Sequence, residues 1–282
     1  MMNSTEEPMR IETIGNATLY LGDCLEVMAT LPDASVDMIL CDLPYGTTRN
    51  KWDSVIPFEP LWAQYWRVAK PNAAIVLTAA QPFTSALVMS QVAYFRYDWV
   101  WRKNRATNVF NAKKQPLRDK EDVLIFCRET PPYNPQGLVY APEPSRNGKT
   151  DSENWGKGKT KTYTKTHGNY PKQVLEFDCV QRVDHPTQKP VALFEYLIRT
   201  YTQPGETVLD NCMGSGTTGV ACANSGRRFI GIERERKYFD IARERIENAH
   251  WSALLGRRIE HAMLYMRRPR DLERAAIESD TH

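Results

Sequence analysis

The sequence lacks the residue spacing of a disulfide framework or of a metal site. Its six cysteines, at 24, 41, 127, 179, 212 and 222, include no Cys-x-x-Cys pair, and its five histidines, at 167, 185, 250, 261 and 282, have no metal-ligand spacing. Cys41 and Cys222 lie within apolar runs. We therefore expect reduced core cysteines, as in a cytoplasmic protein, and no bound metal.

Long apolar segments and a strong net charge are also missing. No apolar run approaches the ~20 residues that a membrane helix needs, and the first ten residues are polar and acidic, unlike a secretory signal peptide. Lys and Arg number 37 against 34 Asp and Glu, which leaves a net charge of only +3. We expect no membrane partner, and a nucleic-acid role would require the basic residues to cluster.

The apolar runs that are present predict one large α/β domain with a small insertion, because 282 residues are enough to bury a sizeable core. Composition changes at 129–182, where Pro, Gly, Lys, Thr and Tyr are frequent and apolar periodicity is weak. We therefore divide the chain into a core half at 13–128, the insertion at 129–182, a second core half at 183–250 and an extension at 251–282.

Three further segments carry expectations of their own. Residues 1–12 are predicted to be a mobile end. Thr47 to Pro57 is polar and predicts a lid beside the turn after the strand 38–41. Arg236 to His250 predicts a helix, and the tail from Arg257 predicts an additional helix with a basic edge.

The strongest signal is a glycine loop between a strand and a helix. Glu206 to Leu209 is typical of a short buried strand, Thr217 to Ala223 is typical of a helix, and Asp210 to Gly216 lies between them. Open α/β sheets hold nucleoside-bearing cofactors with an acidic residue at a strand end, a Gly-x-Gly sequence after it and the start of a helix. The glycines allow close approach, and the helix N-terminus offers free N–H groups. A second acidic strand end, Glu233, is placed to accept hydrogen bonds from ribose hydroxyls.

The glycine loop by itself does not define its ligand. A lone Gly-x-Gly often marks only a turn, and Gly219 supplies the third glycine of a Gly-x-Gly-x-x-Gly dinucleotide motif. From these residues alone, an NAD site and a ligand-free strand-to-helix turn both stay open.

A second motif, Asp42-Leu43-Pro44-Tyr45, follows the apolar run Met38 to Cys41, which suits a buried parallel strand. Proline fixes its own φ and keeps the preceding residue out of helical angles, so the chain turns there. Asp42 and the neighbouring backbone would then face a crevice with Tyr45 alongside. Such groups suit a flat nitrogen heterocycle that bears an amino group. Taken alone, a strand followed by a Pro-Gly turn is the simpler interpretation.

Together the motifs resemble those of the amino-methyltransferases that act on DNA. Asp42-Leu43-Pro44-Tyr45 is similar to their Asp-Pro-Pro-Tyr catalytic tetrapeptide, and Asp210 to Thr217 is similar to their S-adenosylmethionine loop. His185-Pro186-Thr187-Gln188-Lys189-Pro190 is similar to their His-Pro-Thr-Gln-Lys-Pro segment, and Gly22-Asp23-Cys24 to the motif that lines the cofactor's adenine. The catalytic motif comes first and the cofactor loop last, which is the order of the family's β group.

The resemblance implies both a fold and an activity. The implied fold is α/β, a Rossmann-like, doubly wound, mostly parallel sheet with a small irregular DNA-recognition insertion. The implied activity is transfer of a methyl group from S-adenosylmethionine to N6 of a flipped-out adenine in double-stranded DNA. Adenine is preferred because the family's cytosine-N4 members usually carry Ser in the place of Asp42. A cytosine-N4 enzyme, an RNA or protein methyltransferase and an inactive DNA-binding relative stay open as alternatives.

The resemblance also implies roles for individual residues. Leu43 stands in the place of the first proline of the tetrapeptide, and Asn211-Cys212 stands in the place of Pro-Phe in the cofactor loop. The implied catalytic residues are Asp42, Leu43, Pro44 and Tyr45. The implied cofactor-binding residues are Asp23, Cys24, Asp42, Thr187, Lys189, Asp210, Cys212, Gly214, Ser215, Gly216, Thr217 and Glu233.

Basic residues cluster in two stretches, 101–120 and 146–172, and such patches neutralise phosphates. The segment Asn154 to Tyr163 mixes aromatic and cationic side chains, a pattern suited to bases and phosphates. We assign site choice chiefly to 129–182, although for any single lysine a solvated surface is the simpler interpretation. The predicted DNA-contacting residues are Arg102, Lys103, Arg105, Lys113, Lys114, Trp155, Lys157, Lys159 and Lys161.

Partners beyond DNA follow by analogy. Members of the β group often pair, so a homodimer is the expectation. No nuclease motif is visible, so a linked restriction endonuclease would be a separate chain. We expect a prokaryotic or phage-encoded cytoplasmic protein that joins the nucleoid when on DNA.

Overall fold

The computed structural model describes residues 10–47, 53–146, 151–152, 156–157, 162–181 and 188–266. The strands are β1 (Arg10–Ile14), β2 (Ala17–Leu21), β3 (Val36–Cys41), β4 (Ala69–Ala79), β5 (Phe95–Thr107), β6 (Arg118–Phe126), β7 (Val139–Arg146), β8 (Asp151–Ser152), β9 (Gly156–Lys157), β10 (Thr162–Gly168), β11 (Val174–Glu176), β12 (Thr207–Asp210) and β13 (Arg228–Glu233). The helices are α1 (Cys24–Thr30), α2 (Phe58–Val68), α3 (Phe83–Ser90), α4 (Val191–Tyr201), α5 (Thr217–Ser225) and α6 (Arg236–Met266).

Nine strands form the main sheet in the order β1-β2-β13-β12-β3-β4-β6-β5-β11. Seven of them run in one direction, and β1 and β6 run in the other. β12 pairs in parallel with β3 through Leu209 and Ile39. The two motif-bearing strands are therefore neighbours, and their loops open at the same carboxyl edge of the sheet.

Helices cover both faces of this sheet. On one face, α1, α2 and α3 bury Val27, Tyr65 and Leu87. On the other face, α4 and α6 bury Leu197 and Phe239, and α5 packs between them. Apolar residues three and four positions apart place these side chains on the inward side of each helix. The arrangement confirms the predicted doubly wound, mostly parallel α/β fold.

The predicted insertion is only partly separate from the main sheet. β7 and β10 form an antiparallel pair of their own, and β8 and β9 form another. β11, in contrast, is the edge strand of the main sheet and pairs in parallel with β5. The chain thus returns to the core before residue 182. The division into domains stays a prediction.

The structure corrects two expectations at the ends of the chain. Residues 10–12, predicted to be mobile, belong to β1, where Arg10 pairs with Asp240 at 2.9 Å. α6 runs without a break from Arg236 to Met266, so the predicted helix end at His250 and the separate helix from 257 are wrong. Strong helix formers such as Ala, Leu, Arg and Glu on both sides of His250 explain the continuity. Within the described residues, no helix is long and apolar enough to cross a membrane.

Candidate active site

A cavity of about 610 Å³ opens where β2, β3, β12 and β13 end. It brings together the predicted motifs from opposite ends of the sequence. Thr187 lies outside the described residues, and Gly216 is the one described member of the predicted catalytic and cofactor-binding sets that does not line the cavity. The predicted residues that line it are Asp23, Cys24, Asp42, Leu43, Pro44, Tyr45, Lys189, Asp210, Cys212, Gly214, Ser215, Thr217 and Glu233.

Asp42 follows β3 directly and is held by three donors. Its Oδ1 accepts hydrogen bonds from the Tyr45 hydroxyl at 2.7 Å and from the Thr78 hydroxyl. Its Oδ2 accepts one from Lys189 Nζ at 2.5 Å. A carboxylate has about four lone-pair positions. One acceptor position of Asp42 therefore remains for a ligand.

Lys189 lies on Asp42 and not on the glycine loop. Its side chain is 7% exposed, and its Nζ is also 3.3 Å from Glu121 Oε2. Burial disfavours the charge, but Asp42 and Glu121 outweigh this effect and raise the pKa of the ammonium. Glu121 also pairs with Lys103. Two carboxylates and two ammonium groups thus form one network in the cavity wall.

Tyr45 is packed and oriented by its neighbours. Its ring stacks on Phe83 with centroids 5.1 Å apart and an interplanar angle of 21°. Burial, followed by the negative charge of Asp42 and Glu121, raises the pKa of the phenol well above its ordinary value. The hydroxyl therefore stays protonated as a donor to Asp42.

Asp210, at the end of β12, organises the glycine loop. It accepts hydrogen bonds from the Thr218 hydroxyl and, at 3.1 Å, from the backbone N–H of Cys212. Burial raises its pKa to about 7, although these hydrogen bonds favour the charged form. The Thr217 hydroxyl donates to the Lys189 carbonyl at 3.4 Å, so the loop also touches the segment that carries Lys189.

Gly216 and Gly219 serve packing against α6. Gly216 has φ +78°, and a Cβ there would lie 2.9 Å from Ala242 Cβ. A Cβ on Gly219 would lie 2.4 Å from Ile246 Cδ1. The absence of a Cβ at Gly216 is therefore required by α6, and its contact with the cofactor stays a prediction. Gly219 is a packing glycine, and since the third glycine of a dinucleotide motif also serves packing, Gly219 does not distinguish between the two cofactors.

Two acidic residues at the other side of the cavity bind backbone groups. Asp23 caps α1 by accepting from the Leu25 and Glu26 N–H groups at 2.9 and 3.4 Å. Glu233 accepts from the Gly214 N–H at 2.9 Å and from the Glu235 N–H at 2.8 Å. Burial raises the pKa of Glu233. The Arg234 backbone also contributes a hydrogen bond, and the carboxylate, with about four lone-pair positions, keeps room for a ligand.

Asn211 and Cys212 are accommodated by residues that the sequence did not single out. The Tyr65 hydroxyl of α2 donates to Asn211 Oδ1 at 2.6 Å in the core. A hydrogen bond with Cys212 and burial raise the pKa of Cys24, and burial raises the pKa of Cys41 to about 12. All six cysteines are free thiols. The hydrogen bond from Tyr65 therefore anchors the loop at Asn211.

The predicted DNA contacts divide into three groups. Arg105, Lys113 and Lys114 are exposed, and Arg102 is exposed but pairs with Glu176 at 2.8 Å. Lys103 is largely buried and is committed to Glu121, so its predicted role as a phosphate contact is wrong. The remaining predicted contacts, whose side chains lie outside the described residues, are Trp155, Lys157, Lys159 and Lys161.

Comparison with known proteins decides the family. The family profile for N6/N4 methylases, described as DNA methylase, matches residues 36–244. The chain belongs to this family of DNA methylases. Membership confirms the predicted enzyme class and methyl transfer to DNA.

The methylase resembles both named enzymes and solved structures. It is 29% identical over 256 residues to the DNA adenine methyltransferase YhdJ of Escherichia coli K12. The aligned region covers 84% of this chain and 85% of YhdJ. It matches M1.HpyAVI in complex with SAM at 26% identity and a TM-score of 0.59, covering 81% of this chain and 99% of that one. The cytosine-N4-specific PvuII DNA methyltransferase matches with a TM-score of 0.61 at 16% identity, and the match covers 86% of this chain and 94% of that one. At this identity the likeness shows the fold alone.

S-adenosylmethionine is the cofactor of this methylase, as the sequence predicts. The residues of the cavity fit it. The volume lies in the range of small-molecule sites. The free acceptor positions of Glu233 suit a ribose diol, and the carboxylates of Asp42 and Asp210 suit a cofactor with a positive sulfonium.

Proposed function

We propose that the methylase modifies N6 of adenine at specific sites in double-stranded DNA. The observation that carries the proposal is the carboxylate of Asp42, held in the cavity with one acceptor position free. The similarity to an enzyme named DNA adenine methyltransferase supports adenine as the base. The open alternative is cytosine N4.

Asp42 is the proposed acceptor for the amino group of the base. An exocyclic nitrogen is a poor nucleophile because its lone pair delocalises into the ring. Hydrogen bonds from both amino hydrogens, to Asp42 and to the Leu43 carbonyl, would favour a tetrahedral nitrogen with a localised lone pair. The buried Leu43 side chain anchors that carbonyl, and Pro44 restricts the turn. These three residues, with Tyr45, form the proposed catalytic motif.

The pair of Tyr45 and Phe83 is the proposed platform for the base. Aromatic rings stack on bases that have left the helix, and stacking of this kind contributes ~1–3 kcal/mol per base. Because the Tyr45 hydroxyl also donates to Asp42, the ring orientation and the carboxylate orientation are coupled. Tyr45 would thereby align the base plane with its hydrogen-bond acceptor.

Lys189 is proposed to orient Asp42. Its ammonium fixes Oδ2 of the partly buried carboxylate, while Glu121 holds the ammonium from the other side. Bound S-adenosylmethionine supplies the methyl group from its sulfonium. Asp42 is the proposed acceptor of the proton that the methylated nitrogen releases. Alignment and fixed charges would contribute most of the rate.

The insertion at 129–182 is proposed to choose the site, helped by the basic residues of 101–120. The β7–β10 pair lies outside the main sheet. Such a position suits a segment that would contact DNA while the core carries out the reaction. Deletion of residues 146–165 should preserve S-adenosylmethionine binding and abolish site-specific methylation. Methylation of the same site at the native rate would refute the assignment.

Homodimerisation and a separate restriction endonuclease also belong to this proposal, and both rest on analogy with the β group. Light scattering of the purified protein measures the first. We expect twice the mass of one chain, and a single-chain mass at all accessible concentrations would contradict the expectation.

The proposed activity is tested by transfer of tritium from methyl-labelled S-adenosylmethionine to unmethylated plasmid DNA, followed by digestion and nucleoside analysis. The label is expected in N6-methyldeoxyadenosine. Label in N4-methyldeoxycytidine would refute adenine specificity. The absence of label in DNA, from protein that binds S-adenosylmethionine, would refute the activity.

A further inference from the structure

The hairpin formed by β5 and β6 carries an aromatic side chain at its tip. Phe110 is 99% exposed, and its neighbour Val109 is also exposed. Single apolar residues on a surface are common, but a fully exposed Phe flanked by another apolar side chain marks a contact site more often than an isolated Leu does. This tip takes no part in the core.

The hairpin leaves the sheet beside the active-site cavity. β5 runs parallel to β3 and β4 within the sheet, so its end at Thr107 lies at the carboxyl edge where Asp42 lies. Thr107 pairs with Arg118, and both line the cavity. Phe110 is only three residues further, which limits its distance from the rim to ~10 Å of extended chain.

The tip has a defined backbone. Asn108 adopts φ +68°, and its Oδ1 accepts a hydrogen bond from Asn111 Nδ2 at 2.7 Å. The N–H groups of Asn111 and Ala112 donate to the carbonyls of Asn108 and Val109 at 3.0 and 3.2 Å. These bonds close a short helical turn that fixes where Phe110 projects.

The surroundings of Phe110 are strongly basic. Arg105, Lys113, Lys114 and Arg118 are all exposed. In the part of the chain that the structure describes, none of the four forms an ion pair with a carboxylate. An apolar tip surrounded by such cations matches a duplex, whose phosphates flank an apolar stack of bases.

We propose that Phe110 enters the base stack of DNA at the position that the target adenine vacates. The inference rests on the proposed function, since extrusion of a base into the cavity leaves a gap in the duplex close to the cavity rim. Apolar side chains of DNA-bending proteins insert between bases and stabilise unstacked steps. A flat phenyl ring fits such a gap, and the four cations would hold the phosphates on either side.

The test compares Phe110→Ala with Met89→Ala, which removes another strongly exposed apolar side chain, 71% exposed on α3. Single-turnover methylation is measured on a duplex that carries the site mapped from the labelled plasmid. Phe110→Ala should slow methylation by ~10-fold or more, Met89→Ala should not, and S-adenosylmethionine binding should match wild type in both. Phe110→Trp should retain most of the rate.

A second substrate separates a stacking role from any other. When the target adenine faces an abasic position, the duplex already lacks one stacked base, so Phe110→Ala should approach the wild-type rate. Equal rates of Phe110→Ala and wild type on the intact duplex would overturn the proposal and leave the tip to another partner, such as a second copy of the chain. An equal loss on both duplexes would also overturn it. If wild type itself forms no N6-methyladenine, the proposed function fails instead.

Discussion

Lys189 donates a hydrogen bond to Asp42 at 2.5 Å across 147 residues of sequence. The lysine comes from the segment before α4, and the aspartate from the loop after β3. The bond connects the cofactor half of the core to the proposed catalytic motif. Lys189, expected to bind the cofactor, thus contacts the carboxylate that is proposed to receive the base.

We predict that Lys189→Met lowers kcat by ~100-fold with little change in S-adenosylmethionine affinity, because it removes the charge that orients Asp42. Asp42 then loses the donor that fixes its Oδ2, whereas Glu121 keeps its pair with Lys103. Lys189→Arg should recover part of the rate.

Steady-state kinetics and calorimetry on both Lys189 variants separate the two roles. A large loss of S-adenosylmethionine affinity with an unchanged kcat would show instead that Lys189 acts directly on the cofactor. Because breaking a buried ion pair destabilises a protein by ~3–5 kcal/mol, urea unfolding of each variant must accompany the kinetics.

Glu233→Ala should weaken S-adenosylmethionine binding by ~2 kcal/mol, the scale of hydrogen bonds to a charged group. The variant loses the proposed ribose acceptors and also frees the Gly214 N–H. Glu247→Ala, which removes a solvent-exposed carboxylate on α6, is the matched control. Isothermal calorimetry measures both, and equal affinities would remove Glu233 from the cofactor site.

Asp210→Asn should change how stability depends on pH. Below about pH 4 the acid is protonated in both states; between that pH and about 7 the unfolded chain ionises while the folded one does not. The group's contribution to stability is therefore full at low pH and is lost as the pH rises toward 7. The unfolding free energy of Asp210→Asn minus that of wild type should increase from pH 5 to pH 8. A difference independent of pH would contradict the raised pKa.

Gly219→Ala should destabilise the fold by ~1–3 kcal/mol, because the new Cβ would overlap Ile246. Gly256→Ala is the matched control, since nothing lies within 4 Å of its Cβ position in α6. Alanine is the better helix former, so that change should stabilise by up to ~1 kcal/mol. Thermal unfolding measures both, and unchanged stability of Gly219→Ala would refute the packing role.

The sequence predicts those parts of the site that depend on local order along the chain. Asp42 and Asp210 each end an apolar run, and carboxyl ends of adjacent parallel strands meet at one edge. Their proximity was therefore predictable. The bounds of α4, Val191 and Tyr201, are likewise readable from the sequence, because its apolar spacing is regular and Pro190 precedes it.

Contacts between distant segments were not predictable in the same way. No local pattern distinguishes Lys103, which pairs with Glu121, from the exposed lysines near it. The packing of Gly216 against Ala242 depends on where α6 crosses the loop. A weak sequence signal could have identified Thr78 as a partner of Asp42, because it is a polar residue near the end of the strand that neighbours β3.

The central claim is that the Asp42 carboxylate receives the amino group of the base, and Asp42→Ala tests it most directly. Tritium transfer to plasmid DNA is measured beside S-adenosylmethionine affinity, with Asp33→Ala, an exposed carboxylate after α1, as control. The account predicts loss of methyl transfer in Asp42→Ala with nearly intact cofactor binding, and normal transfer in Asp33→Ala. Full methyl transfer by Asp42→Ala would contradict it.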